Sequence, residues 1–232
     1  MNERVVRLPV AVLTLVATVV VALLAVGLVV RADADRLPSS PPRDPPAAPP
    51  AASTFTVDPD RTARFEEFSL VLAGSPYGCG DTQDPPPGFT AYEGCSFAVH
   101  PNYTAAGADW SALTGVLLVG DDLVAPDLPT TTKQVFDRLV DVLYTADDHY
   151  SVGKVTTGGV QLSVPADRFG SRFGNVAVKK KGLATPYDRL AVVVVRLESG
   201  RHVAFFSDYP HDGGKAGVTA VSTSLSSISL TR

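Results

Sequence analysis

The chain has 232 residues, 20 Lys and Arg against 24 Asp and Glu, a net charge of −4 and only two cysteines. An acidic balance argues against a nucleic-acid binder, which needs a basic face. About 180 residues beyond the N-terminal segment are enough for one domain with a real core, and no internal repeat divides them.

Residues 1–7 carry Arg4 and Arg7 and read as a cytoplasmic N-terminus. From Leu8 to Val30 no residue is charged, and Val, Leu and Ala fill nearly every position. As a helix rising about 1.5 Å per residue, this run covers roughly 30 Å, the thickness of bilayer hydrocarbon. It is expected to be a transmembrane signal anchor, because it is much longer than the apolar core of a secretory signal. Ala32-Asp33-Ala34 also fits a cleavage site, so removal after Ala34 is the alternative. Arg31, Arg36 and Arg43 follow the run, which leaves the positive-inside rule close to a tie. Residues 31–52 form a Pro-rich linker. Pro38, Pro41, Pro42, Pro45, Pro46, Pro49 and Pro50 bar a helix and favour extended polyproline II.

Residues 53–232 are expected to be an extracytoplasmic α+β domain, a mostly antiparallel sheet packed with two helices. Phe68–Leu72 alternates as a strand does. Cys79 and Cys95 flank a segment of Gly, Pro and polar residues that reads as a loop, and they are expected to be disulfide-bonded. Such a bond persists only in an oxidising compartment, which breaks the orientation tie and puts the domain outside. Cys95-Ser96-Phe97-Ala98-Val99 alternates and points Cys95 inward. Val116–Val119 is a short apolar run, strand or helix.

Val135, Phe136, Leu139, Val140 and Leu143 recur at helical spacing, with a start signal at Thr131 and Gln134 and Pro129 just upstream. Strands are expected at Val160–Val164 and at Val176–Val178, the latter ending in Lys179-Lys180-Lys181, a charged guard for a sheet edge. Leu190–Leu197 is apolar and β-branched, a strand covered on both faces. Glu198-Ser199-Gly200 turns it back into His202–Phe206. Val218, Val221, Leu225 and Ile228 mark a closing helix.

That last hairpin, Ala191-Val192-Val193-Val194-Val195 and His202-Val203-Ala204-Phe205-Phe206, feeds a helix with Ser224-Leu225-Ser226-Ser227-Ile228. The pattern resembles the end of Mog1/PsbP-like domains of membrane-attached actinobacterial proteins, over about the last 50 residues. Those proteins are mostly lipoproteins, and this chain departs from them in having no lipobox cysteine near its start. The resemblance implies no catalytic residues.

The four histidines, His100, His149, His202 and His211, form no metal-binding or zincin spacing. Asp147-Asp148-His149 reads as hard ligands for a cation or as a solvated loop, the latter the expectation, and Asp121-Asp122 reads as a carboxylate pair or a turn. Neither a Gly-x-Ser-x-Gly elbow, nor a dinucleotide fingerprint, nor a Walker loop is present. Asn102-Tyr103-Thr104 matches a glycosylation sequon. The one candidate site is Asp208, His211 and Asp212, at a strand-to-helix junction where Asp212 or a neighbour is expected to cap the helix and the glycines to make the turn. No metal and no cofactor are expected.

The leading expectation is a non-catalytic interaction module of the cell envelope, single-pass in the cell membrane, binding an envelope protein, a lipid or a cell-wall component. The alternative is an envelope hydrolase with a dispersed Ser/His/Asp site. A pocket gathering His211, Asp208 and a serine would favour the enzyme; an open apolar groove would favour binding.

Overall fold

The computed structural model describes residues 54–80, 84–104, 107–145 and 148–231. The apolar run 8–30 and the linker 31–52 lie outside the described residues. Among the described residues no helix is long and apolar enough to cross a membrane.

The domain is α+β. Eleven strands run β1 (Thr56–Val57), β2 (Thr62–Phe65), β3 (Phe68–Val71), β4 (Gly78–Cys79), β5 (Phe89–His100), β6 (Trp110–Val119), β7 (Ser151–Thr157), β8 (Phe169–Ala177), β9 (Tyr187–Arg196), β10 (His202–Pro210) and β11 (Ser229–Leu230). Among the described residues the two α-helices are α1 (Leu128–Leu143) and α2 (Lys215–Ser226). Seven strands form the large sheet in the order β4-β5-β6-β10-β9-β8-β7, and four form a small sheet, β1-β2-β3-β11. Every pairing within both sheets is antiparallel.

Period-two alternation sorts the large sheet's side chains onto two cores. On one face Leu190, Val192, Val194, Ala204 and Phe206 pack under Val135, Phe136, Leu139 and Val140 of α1. On the other, Val193, Val195, Val203 and Phe205 meet Phe65, Phe68 and Leu70 of the small sheet and Ala220 of α2. This is why Leu190–Leu197 is apolar at every position but one: both its faces are covered. Each fully buried Val, Leu or Phe contributes about 1.5–3 kcal/mol. The β9–β10 turn falls where expected; Gly200 takes φ 86°, a conformation open to glycine. Arg168 ties the small sheet down, 2.8 Å from Glu67 of the β2–β3 turn.

The two cysteines are bonded, Cα atoms 4.0 Å apart. Their segment is not simply a loop: Cys79 of β4 lies directly across from Cys95 of β5. The prolines that suggested a loop end at Pro87, the strand begins with Phe89, and Gly94 lies within it. As expected, Cys95 is buried, and Phe97 and Val99 pack beside it. Val116–Val119 is strand, in the middle of the sheet.

Other elements differ from expectation. Helix α1 begins earlier than Thr131, because Asp127 is its cap and accepts from Thr130 N at 2.8 Å. Thr131 lies inside the helix instead, its hydroxyl accepting from Ala125 N at 2.9 Å. Residues 160–164 form no strand; Val160 and Leu162 pack on the core as irregular chain, with an isolated bridge from Ser163 to Ser229. On this side of the sheet the edge strand is β7, almost wholly exposed, so no alternation announced it. The lysines 179–181 therefore guard no edge. Lys180 turns inward to an ion pair with buried Asp148, which corrects the solvated-loop reading of that aspartate; Asp147 lies outside the described residues.

Candidate functional site

Strand β9 begins where the antiparallel β10 ends, and the residues there alternate between two places. Asp188 of β9 and Asp208 of β10 face the α1 side. They sit diagonally across the pair, since Asp208 is opposite Leu190 and Asp188 opposite Pro210. Arg189, Ala191, Ser207 and Tyr209 face the α2 side.

On the α1 side Asp188 is 0% and Asp208 5% exposed. The chain leaving α1 lays Tyr144 over both. Its hydroxyl donates to Asp208 Oδ1 at 2.6 Å and lies 3.4 Å from Asp188 Oδ2. Trp110 Nε1 donates to Asp188 Oδ2 at 3.0 Å, while Asp188 Oδ1 has no protein partner. No cation pairs with either carboxyl among the described residues. Burial pushes Asp188 up to about 6, against the hydrogen bonds from Trp110 and Tyr144. Burial, then the neighbouring Asp188, hold Asp208 well above the usual carboxylate range. The pair thus keeps a proton that exposed aspartates would have lost. It is sealed from solvent, so it has no access to a substrate.

The three residues singled out in sequence are not brought together. Asp208 is in this buried pair. His211 lies past the strand end with its ring 4.5 Å from that of Tyr187. Asp212 accepts from Thr185 Oγ1 at 2.7 Å and lies 3.1 Å from His100 Nε2. Burial alone would raise the Asp212 carboxyl; the bonds from Thr185 and His100 outweigh it and hold it low. Nor does Asp212 cap α2. The cap is Gly214 at φ 86°, with no side-chain cap bond, so the glycines do make the turn. Asp212→Ala is therefore expected to cost about 1 kcal/mol through its two lost partners rather than through the helix, and His211→Ala less. Urea unfolding of both variants checks this; a larger loss for His211→Ala would contradict it.

On the α2 side lies an open cleft of about 500 Å³. Helix α2 covers only part of the sheet, and the cleft is what it leaves. Its floor is Phe173 and Ala191, its wall Tyr209, Val218 and Val221, and Ser207 opens into it. One end is polar, with Lys154 of β7, Asn175 of β8 and Arg189 of β9. Asn175 and Arg189 are directly opposed in the ladder, and Lys154 stands beside Asn175 at the β7 irregularity. Ligand clefts commonly have this volume and this mix of apolar wall and few polar groups. Among the described residues no group of three or more His, Cys, Asp or Glu is placed to hold a metal ion.

The sequence reading missed Asp188, Tyr144 and Trp110 and all three residues of the cleft's polar end. For Asp188 a signal existed: it is in phase with Leu190, Val192 and Val194, so period two already placed it inside.

No family model and no characterised protein sequence matches the chain. Among solved structures the chain is similar to the Ran-binding protein Mog1p of Saccharomyces cerevisiae, with 14% identity and a TM-score of 0.40 over 71% of this chain and 90% of that one. It is also similar to cyanobacterial PsbP (CyanoP) of Synechocystis, with 10% identity and a TM-score of 0.43 over 84% of this chain and 99% of that one. Both structures fall under the Mog1/PsbP-like resemblance carried by the last hairpin and helix. At such identities neither bears on a site or a partner.

Proposed function

We propose that the chain is a membrane-anchored, extracytoplasmic binding module of the cell envelope that performs no catalysis. One observation carries the reading. The fold leaves an open, largely apolar cleft between α2 and the sheet, while the candidate catalytic groups are dispersed. Ser207 opens into the cleft, Asp208 is sealed on the opposite face, and His211 packs on Tyr187 beyond both. A Ser/His/Asp hydrolase needs those groups within hydrogen-bond reach of one another.

The placement outside the membrane rests on the apolar run 8–30 and on the Cys79–Cys95 bond, which suits an oxidising compartment. The ligand is then an envelope protein, a lipid or a cell-wall component.

Filling the cleft tests the reading. Ala191 is on the floor, and Ala191→Trp occupies the space without touching the buried carboxyls. In full-length protein crosslinked in its native membrane, the variant is expected to lose at least about 80% of the partners or lipids recovered with the wild type. Its thermal melt should stay near the wild type's. An unchanged set of crosslinks with the cleft filled would refute a role for this face.

A further inference from the structure

The cleft's charge is out of keeping with its domain. Residues 53–232 carry 15 Lys and Arg against 20 Asp and Glu. Yet the residues that line the cleft include Lys154 and Arg189 and no Asp or Glu at all. Neither cation has a salt-bridge partner among the described residues, and the Arg189 guanidinium lies 5.9 Å from the centre of the Tyr187 ring. Both side chains are exposed, as is Asn175 between them. Three adjacent strands thus set an ammonium, a carboxamide and a guanidinium in one row at one end of an apolar trough. Lys154 and Arg189 stand two strands apart, roughly 10 Å across the sheet, so a single anionic head over Asn175 lies within reach of both. The guanidinium offers paired donors suited to a carboxylate or phosphate, and the amide adds N–H donors.

The rest of the trough asks for something else. Phe173, Ala191, Val218, Val221 and the ring of Tyr209 offer dispersion and hydrophobic contact. Val218 is 42% exposed, a large apolar side chain left uncovered beside it. A small inorganic anion would leave this wall wet. A neutral chain would leave the two cations unanswered.

Resting on the binding-module reading above, we infer that the cleft accommodates a single long acyl chain bearing an anionic head, the head at Lys154, Asn175 and Arg189 and the chain along Phe173, Ala191 and α2. The ligand class is the long-chain fatty-acid anion. About 500 Å³ suits one chain rather than the pair of a diacyl lipid.

Full-length protein in phosphatidylcholine nanodiscs is the material for the test. The probe is palmitic acid carrying a photoactivatable diazirine near the end of its chain, with the methyl ester of the same probe as the uncharged control. Adducts are mapped by mass spectrometry of peptides. The acid is expected to label Val218–Ser222 or Phe173 at least tenfold more than the ester. Lys154→Gln with Arg189→Gln should lower that labelling at least tenfold, and Lys154→Arg should keep it. All these positions are exposed, so the variants should melt with the wild type.

Equal labelling of the cleft by acid and ester would overturn the anionic head while leaving the binding module standing. Labelling by the acid that ignores the double variant would overturn it too. Labelling elsewhere only, together with crosslinks that Ala191→Trp does abolish, would mean that the cleft binds something that is not an acyl anion. If Ala191→Trp also changes nothing, the binding reading itself falls.

Discussion

Breaking the Cys79–Cys95 bridge is expected to lower the stability of the domain by about 3 kcal/mol. The two residues are 16 apart in sequence, and a closed loop of that length removes roughly this much chain entropy from the unfolded state. The local structure leaves little to replace it. Strand β4 is two residues long and pairs only through Gly78 opposite Ser96 and Cys79 opposite Cys95. Tyr77, just before it, is buried with its ring 4.8 Å from that of Phe97. Without the bridge this ring and two ladder pairs alone hold the edge of the large sheet. Urea unfolding of Cys79→Ala/Cys95→Ala beside the oxidised wild type should show a lower midpoint with a similar slope. A loss under about 1 kcal/mol would mean that Tyr77 and the ladder suffice and that the unfolded chain is already compact there.

The second large effect is at the buried carboxyl pair. Tyr144→Phe keeps the ring and deletes the hydroxyl that reaches both aspartates, and it is expected to cost about 1–3 kcal/mol at neutral pH. The effect should depend on pH in a definite direction. Asp188 and Asp208 have folded-state values above 3.8, so the folded state holds protons that the unfolded chain releases. For Asp188 that contribution is full below about pH 4 and is lost as pH rises through about 6, on the order of 2–3 kcal/mol; Asp208 acts in the same direction. Asp212, Asp148 and Glu67 are held low by their partners and act oppositely; their contribution is present above about pH 4 and lost below it. The domain is therefore expected to be most stable in mild acid, near pH 4–5.

The Tyr144 hydroxyl supports the charged form most, so Tyr144→Phe should lose more at pH 7.5 than at pH 5. Asp208→Asn still accepts from Tyr144 and has no proton to lose, so it should flatten the decline above pH 5. Urea midpoints for the three proteins across pH 4–8 measure this. A wild type most stable at pH 8 would show that the pair is ionised without cost.

How far the sequence was legible follows from what decides each element. The β9–β10 hairpin could be read because burial on both faces leaves an uninterrupted β-branched run around a short polar turn. Helix α1 could be read because its apolar stripe faces one sheet and its back faces solvent. The edge strand β7 could not: it is held by the ladder to β8, and its exposed side chains carry no period. The cleft was hidden for another reason. Lys154, Asn175 and Arg189 lie far apart in sequence, and nothing local in any of the three marks it. Their row exists only through the registers of β7 on β8 and β8 on β9. The junction residues Asp208, His211 and Asp212 illustrate the converse. They are near one another in sequence, but strand alternation and the turn at Gly213 and Gly214 send them three ways.

The order of strands also sets an order of events. The large sheet is two meanders, β4-β5-β6 and β7-β8-β9-β10, and they join only where Val203 of β10 meets Leu118 of β6 and on down that ladder. The small sheet is likewise completed late, when Ser229 of β11 reaches Ser69 of β3. Each closure spans a long stretch of intervening chain, so each pays its loop entropy before its contacts reward it. A chain emerging N-terminus first therefore carries the apolar strand β6 with one side unpaired until residues 202–210 arrive. During that interval Val116–Val119 is a ready template for pairing with a neighbouring copy. The same hairpin that forms the centre of the finished sheet is thus the step on which escape from aggregation depends.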